Sequence, residues 1–282
     1  MKKGISYWSF PGGLEGTAPI ADVFKKAKAL GYDSVEPCLS VEGDVSMATT
    51  EASAREIVKA AKDAGIEISS VASGMFWDTS LTANDPKVRA EAMKIAEKLI
   101  DVAAWLNAGT VLLVPGAVDV FFNPAAEVVD YSDVWSRATD AVGKLLPRAE
   151  AAGIEIGIEN VWNKFLVGPV EIREFVDQFN SKFVGAYFDV GNAMLVGYPE
   201  QWIKLLGKRI KRVHVKDFRR AAGANGFVDL LEGDVNWPAV MSALKGIGYD
   251  GYVTAEMLPP YPHAPELLVK NTSSALDAIL GR

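Results

Sequence analysis

One junction recurs along this chain and restricts its fold more than any other feature. The segments "KALGYDSVEP" (28–37), "KDAGIEISSVA" (62–72), "LNAGTVLLVP" (106–115), "EAAGIEIGIEN" (150–160) and "KGIGYDGYVTAE" (245–256) each close a helical stretch, pass through a glycine and enter a short β-prone run. Glycine just past a helix end adopts the left-handed cap conformation without a Cβ penalty. Helix-to-strand joints repeated at intervals of tens of residues imply alternating units and a parallel sheet. Eight β-prone runs can be marked, near 3–6, 33–37, 66–72, 110–114, 154–159, 183–189, 210–216 and 252–257. Helical runs fall near 19–30, 50–64, 86–107, 132–151, 169–180, 199–207, 236–246 and 265–280. Eight βα units in 282 residues predict one closed (β/α)8 barrel, a TIM barrel, as a single domain over 1–282. An open doubly wound sheet would need a G-x-G-x-x-G turn after the first strand, and none is there. The irregular stretch at 220–235 is the longest and is expected to form a flap.

Strand parity separates the two faces. Ile154, Ile156 and Ile158 alternate with Glu155, Gly157 and Glu159, and Val184, Ala186 and Phe188 with Gly185, Tyr187 and Asp189. The apolar sets suit the helix-facing outside and the small or polar sets the barrel interior. By the same parity Val213 and Val215 face the helices, while Arg212, His214 and Lys216 point inward.

Catalytic residues in this architecture sit at the carboxyl ends of the strands. The last inward residues of the fifth to eighth strands are Glu159, Asp189, His214 and Glu256. Three unpaired carboxylates at one mouth repel one another, and a divalent cation removes that conflict. An oxygen-rich set with one imidazole suits Mn²⁺, Mg²⁺ or Co²⁺, and suits Zn²⁺ less well in the absence of thiolates. Taken singly, each residue reads as a hydrogen-bonded core histidine, a helix cap or a solvated strand end. Their convergence on four successive strands favours a metal site. A divalent cation that chelates a carbonyl and its neighbouring hydroxyl acidifies the C–H between them and favours an enediolate. Glu159 and Glu256, two strands apart, would flank it from opposite sides and move the proton as an acid/base pair.

Composition narrows the partners. The net charge of −7 disfavours nucleic acid and anionic membranes. The single cysteine, Cys38, excludes an intrachain disulfide and reads as a small buried hydrophobe. The start "MKKGISYWSF" has no long apolar segment, and no run approaches the roughly 18 apolar residues of a membrane span. A cytoplasmic protein is expected, forming a homodimer or tetramer through spare helix tryptophans.

The segments "IGIEN", "YFDVGN", "RVHVKD" and "EGDVNWPAVMSALKGIGYDGYVTAEM" resemble the sugar-phosphate isomerase/epimerase superfamily with the xylose-isomerase-like barrel, over nearly the whole chain. Within it the chain is similar to ketose 3-epimerases and L-xylulose 5-phosphate 3-epimerases. The resemblance implies a metal held by Glu159, Asp189, His214 and Glu256, with the two glutamates as acid and base. Two positions depart from the tagatose-type pattern: Asn192 stands where a histidine is usual, and Phe165 where a second glutamate is.

The resulting expectation is a metal-dependent epimerase or isomerase of a ketose or ketose phosphate, most simply a 3-epimerase. The rival readings are an aldose–ketose isomerase, a lyase or dehydratase on a keto-sugar or keto-inositol, and a sugar-binding protein without turnover. A DNA-repair endonuclease on the same barrel would need a histidine-rich cluster and a basic face, whereas this chain has two histidines and an acidic balance. Candidate substrate contacts are Lys216, Glu36, Asn192 and the aromatic residues Trp8, Trp77 and Trp162; Arg219 and its neighbour Arg220 are candidate phosphate ligands that read better as an ordinary solvated pair. The bland alternative for Lys216 is an internal salt bridge with Asp217 or Glu159. Trp105, Trp135, Trp202 and Trp237 fall on helices as core or subunit contacts, and His263 lies on a proline-stiffened loop after the last strand.

Overall fold

The structure, a computed structural model, describes residues 1–123 and 125–282. Seven parallel strands, β1 (Lys2–Ser6), β2 (Ser34–Glu36), β3 (Glu67–Ile68), β4 (Thr110–Leu113), β5 (Glu155–Glu159), β6 (Val184–Asp189) and β7 (Ile210–Val215), are joined by β10 (Tyr252–Ala255). The order β3-β2-β1-β10-β7-β6-β5-β4 follows the chain around a barrel, with a parallel bridge between Val71 and Val111 joining its two ends. Val71 N–H donates to the Thr110 carbonyl at 3.0 Å, and Leu112 N–H to the Val71 carbonyl at 2.9 Å.

The helices wrap this barrel because each carries an apolar stripe at helical spacing. In α1 (Ile20–Ala29) the buried residues are Ile20, Val23, Phe24 and Ala27, an i, i+3, i+4, i+7 set. α2 (Glu51–Ala64) opens on a reciprocal cap between Thr50 and Ser53 and closes on Gly65 at φ +69°. α3 (Pro86–Trp105), α4 (Tyr131–Ala152), α5 (Pro169–Asp177), α7 (Pro199–Leu206), α8 (Trp237–Gly246) and α9 (Glu266–Leu280) match the expected helical runs. The expectation omits α6 (Val190–Ala193), a single turn begun by Asp189. At the joint before β4 the left-handed residue is Asn107 (φ +56°) rather than Gly109. Asparagine is among the few side chains that tolerate that region.

Two further expectations need correction. The third strand was expected over 66–72, but its regular part is confined to Glu67–Ile68. Ser69 and Ser70 turn their hydroxyls to the Val35 carbonyl (3.4 Å) and to Glu36 Oε2 (2.6 Å), and the chain regains the ladder at Val71. The 220–235 stretch, expected to be irregular throughout, is in part regular. β8 (Asp217–Phe218) and β9 (Phe227–Val228) form an antiparallel ribbon on the strand bearing His214. The fully buried Asp217 accepts N–H groups from Phe218 (2.8 Å), Val235 (3.2 Å), Leu231 (2.9 Å) and the Trp237 indole (2.9 Å). No helix among the described residues is long and apolar enough to cross a membrane.

Candidate active site

Parity places the expected side chains together. One ligand atom from each of Glu159, Asp189, His214 and Glu256 lies within 4.8 Å of all the others, and all four residues are buried. His214 Nδ1 stands 3.4 Å from Glu159 Oε1 and 3.9 Å from Glu256 Oε1. Asp189 divides its carboxylate: Oδ1 accepts the Asn192 N–H at 2.6 Å to start α6, which leaves Oδ2 for the site. Asn160 locks the aspartate backbone from both sides, accepting Asp189 N–H at 2.8 Å and donating to its carbonyl at 2.9 Å. Gly157 keeps the interior open for Tyr187, since a Cβ there would lie 2.9 Å from that ring.

The charges are strongly interdependent. Burial, partly offset by His214, lifts the Glu159 carboxyl to about 7. Burial also raises the Asp189 carboxyl, against the pull of Lys216. At Glu256 burial pushes upward, but Lys216 and His214 reverse it and hold the group below the usual carboxylate range. Burial opposes charge on His214, yet Glu36 and Glu256 raise its pKa well above the ordinary value. Desolvation opposes charge on the partly buried Lys216, but Asp189, Glu256 and Glu159 raise its pKa and keep it cationic.

The donor set fits a divalent cation. Asp189 Oδ2 and His214 Nδ1 are buried without hydrogen-bond partners among the described residues, an arrangement that is costly unless another group satisfies them. Lys216 Nζ stands 3.1 Å from Asp189 Oδ2 but off the hydrogen-bonding direction. The imidazole is held ready for ligation because its other nitrogen, Nε2, sits 2.8 Å from Glu36 Oε1. A histidine whose far N–H donates to a carboxylate presents a fixed tautomer and a more basic lone pair.

That pairing changes the role expected for Glu36. It is fully buried beneath His214 and takes Ser70 and the Tyr187 hydroxyl on its second oxygen, so it orients the histidine and does not line the cavity. Replacing it, as Glu36→Gln, is expected to weaken Mn²⁺ binding by roughly 10- to 100-fold in a calorimetric titration; an unchanged affinity would contradict this role.

Lys216 lines the cavity and bonds Glu256, with Asp189 as its second partner; the alternative salt bridge to Asp217 or Glu159 does not form. Trp8, Trp77, Trp162 and Asn192 line the same cavity as Glu159 and Glu256. The Asn192 amide is engaged locally, donating to the Asn160 carbonyl at 2.9 Å, while the Trp162 indole donates to the Asn192 carbonyl at 3.0 Å. Arg219 does not serve as the candidate phosphate ligand but fits the solvated reading: it is exposed, donates to the Glu232 carbonyl at 2.6 Å and does not line the cavity. The ribbon turns it away from the site. Arg220 likewise points outward, lying 5.8 Å over the Tyr198 ring. His263 is exposed. Cys38 is buried, and burial pushes its thiol well up.

Sequence reasoning missed Tyr187, Ser70, Asn160 and Asp217. Tyr187 was within reach, since it shares the inward parity of Asp189. Phe121, Phe122 and Phe227 at the cavity mouth carried no periodic signal, because they lie on loops or a two-residue strand.

Comparison with known proteins agrees with this fold. An uncharacterized protein of Methanocaldococcus jannaschii is 29% identical over 201 residues, which is 67% of this chain and 64% of that relative's own length. The L-ribulose-5-phosphate 3-epimerase UlaE of Salmonella paratyphi C is 25% identical over 235 residues, covering 82% of this chain and 79% of that enzyme. Among solved structures, D-psicose 3-epimerase from Clostridium cellulolyticum H10 superposes with a TM-score of 0.81 at 20% identity, covering 100% of this chain and 99% of that one. The 3-keto-D-glucoside 4-epimerase YcjR from E. coli gives 0.79 at 16% identity, with 100% of both chains covered. At such identities the superpositions speak for the fold alone. A family model described as the xylose isomerase-like TIM barrel matches residues 24–278. With strand order, ligand cluster and that match in agreement, the chain belongs to the xylose isomerase-like TIM barrel family.

Proposed function

We propose that the protein is a metal-dependent isomerase-class enzyme that epimerises a keto-sugar beside its carbonyl, most simply at C3 of a ketose. The observation that carries this reading is the buried Glu159, Asp189, His214 and Glu256 cluster, two of whose atoms lack hydrogen-bond partners among the described residues, on a cavity lined by both glutamates. The names of the epimerases similar to this chain support it. Mn²⁺ is the cation we favour, with Mg²⁺ or Co²⁺ as substitutes on ligand chemistry and Zn²⁺ less suited. When bound, such a cation supplies positive charge to the sugar's carbonyl and neighbouring hydroxyl oxygens, and so acidifies the C–H between them.

The chain's own residues do the rest. Glu159 and Glu256 come from β5 and from the end of β10, which β6 and β7 separate in the sheet, so they face the bound sugar from two sides. One carboxylate takes the carbon-bound proton and the other returns a proton to the opposite face, which inverts the centre. Lys216 holds Glu256, Glu36 holds His214, and Trp8 and Trp162 offer apolar faces to the sugar ring while excluding water.

Incubated in D₂O with a panel of ketoses and Mn²⁺, the protein is expected to place deuterium on the carbon next to the carbonyl and to form the epimer. EDTA should abolish exchange and Mn²⁺ restore it. Sugar binding that survives EDTA without any exchange would mark a binding protein, and loss of water from the product would mark a lyase.

A further inference from the structure

The single turn α6 reads Val190-Gly191-Asn192-Ala193 and is buried throughout. So short a helix cannot hold itself, because closing a first turn fixes several residues for few internal bonds. It is held from outside. Gly191 lets it press against Lys216, just past β7: a Cβ there would lie 2.5 Å from Lys216 Cγ and 2.8 Å from the Lys216 carbonyl oxygen.

Asn192 supplies the other ties, and they lead in three directions. Its side-chain Nδ2 donates to the carbonyl of Asn160, the residue after Glu159 at the end of β5, at 2.9 Å. Its backbone N–H donates to Asp189 Oδ1 at 2.6 Å, and its carbonyl accepts the Trp162 indole N–H at 3.0 Å. The last two bonds end on the site, since Asp189 is one of the four clustered ligands and Trp162 lines the cavity. With Oδ1 pinned by the turn, the Asp189 carboxylate cannot rotate, and Oδ2 keeps one direction. Trp162 joins three aromatic neighbours, meeting Phe121 edge-on at 5.2 Å and Phe218 at 5.5 Å and stacking on Phe227 at 4.6 Å. Aromatic contacts alone leave a ring room to slide, whereas an N–H bond to a fixed carbonyl sets its orientation.

We propose that Asn192 is a positioning residue: its amide ties α6 to the end of β5, and the turn so held fixes the Asp189 carboxylate through one backbone group and the Trp162 ring through another. This deepens the epimerase reading above and rests on its metal site. Asn192 then acts on the sugar through Trp162 and on the cation through Asp189, and touches neither.

The test compares the full-length wild type with Asn192→Ala and Asn192→Leu; leucine keeps the branched shape of asparagine and lacks its N–H. One readout is Mn²⁺ affinity by calorimetry. The other is the ¹⁹F resonance of Trp162 in protein labelled with 5-fluorotryptophan, identified by its loss in Trp162→Phe. Both variants are expected to bind Mn²⁺ roughly tenfold more weakly, as for loss of a group that orients a metal ligand. In both, the Trp162 resonance should shift or broaden before any metal is added. The resonance of Trp105, the last residue of α3, should stay in place and report an intact barrel. Wild-type Mn²⁺ affinity in the leucine variant overturns the proposal, because bulk would then matter and the bond would not. An unmoved Trp162 resonance overturns it too. So does weaker binding of D-fructose with both readouts unchanged, which would make Asn192 a substrate contact. Wild-type protein that binds no Mn²⁺ sinks the metal reading, while the Trp162 resonance still judges Asn192.

Discussion

Glu256→Gln should slow formation of the epimer by roughly 10²- to 10⁴-fold, the range expected for loss of a positioned acid or base. The amide keeps the shape of the carboxyl but cannot accept the carbon-bound proton, and its NH₂ would face the Lys216 ammonium, which now bonds Glu256. Glu159→Gln should fall in the same range, because its partner cannot return to one face a proton never taken from the other. The double variant should be little worse than either single one, since residues acting as one unit are not additive. Each variant must be assayed at saturating Mn²⁺, so that lost ligation is not read as lost proton transfer. Epimer formation within about tenfold of wild type at saturating metal would remove the pair from the mechanism.

Asp217→Asn should be the most destabilising substitution of comparable size. The Asp217 carboxylate is fully buried and satisfies four N–H donors from residues 218, 231, 235 and 237. An asparagine side chain offers one acceptor oxygen and turns an NH₂ toward donors, so at least two N–H groups lose their partner. At about 1–3 kcal/mol for each buried group left unsatisfied, the loss is roughly 3–5 kcal/mol. A urea titration should show a lower midpoint with or without Mn²⁺, because Asp217 is not one of the four clustered ligands. An unchanged midpoint would mean that the ribbon is held by its packing alone.

The candidate ligands were legible because parity is a local rule. Once Ile154, Ile156 and Ile158 are placed outward, Glu159 has nowhere to point but in, and the same logic orients Asp189 and His214. Helix limits were legible for a similar reason, since caps and glycines act within a turn of their own position. What stayed hidden depends on partners far apart in the chain. Glu36 and His214 are 178 residues apart, and only closure of the barrel shows that the glutamate bonds the histidine instead of facing the ligand. The ion-pair partner of Lys216 could not be read from the sequence because Asp217, next to it, turns outward to the ribbon, while Glu256 arrives from the neighbouring strand. The break in β3 escaped notice because Ser69 and Ser70 fit a strand pattern until their hydroxyls find acceptors on β2.

Because Asp217 bolts the 219–235 segment to the end of the strand that carries His214 and Lys216, swinging it aside would drag two site residues with it. Residues 14–15, 41–42 and 121–122 line the same cavity from the loops after the first, second and fourth strands, away from that anchor. A molecule entering between those loops would pass phenylalanine and carboxylate before it met Glu159 or Glu256.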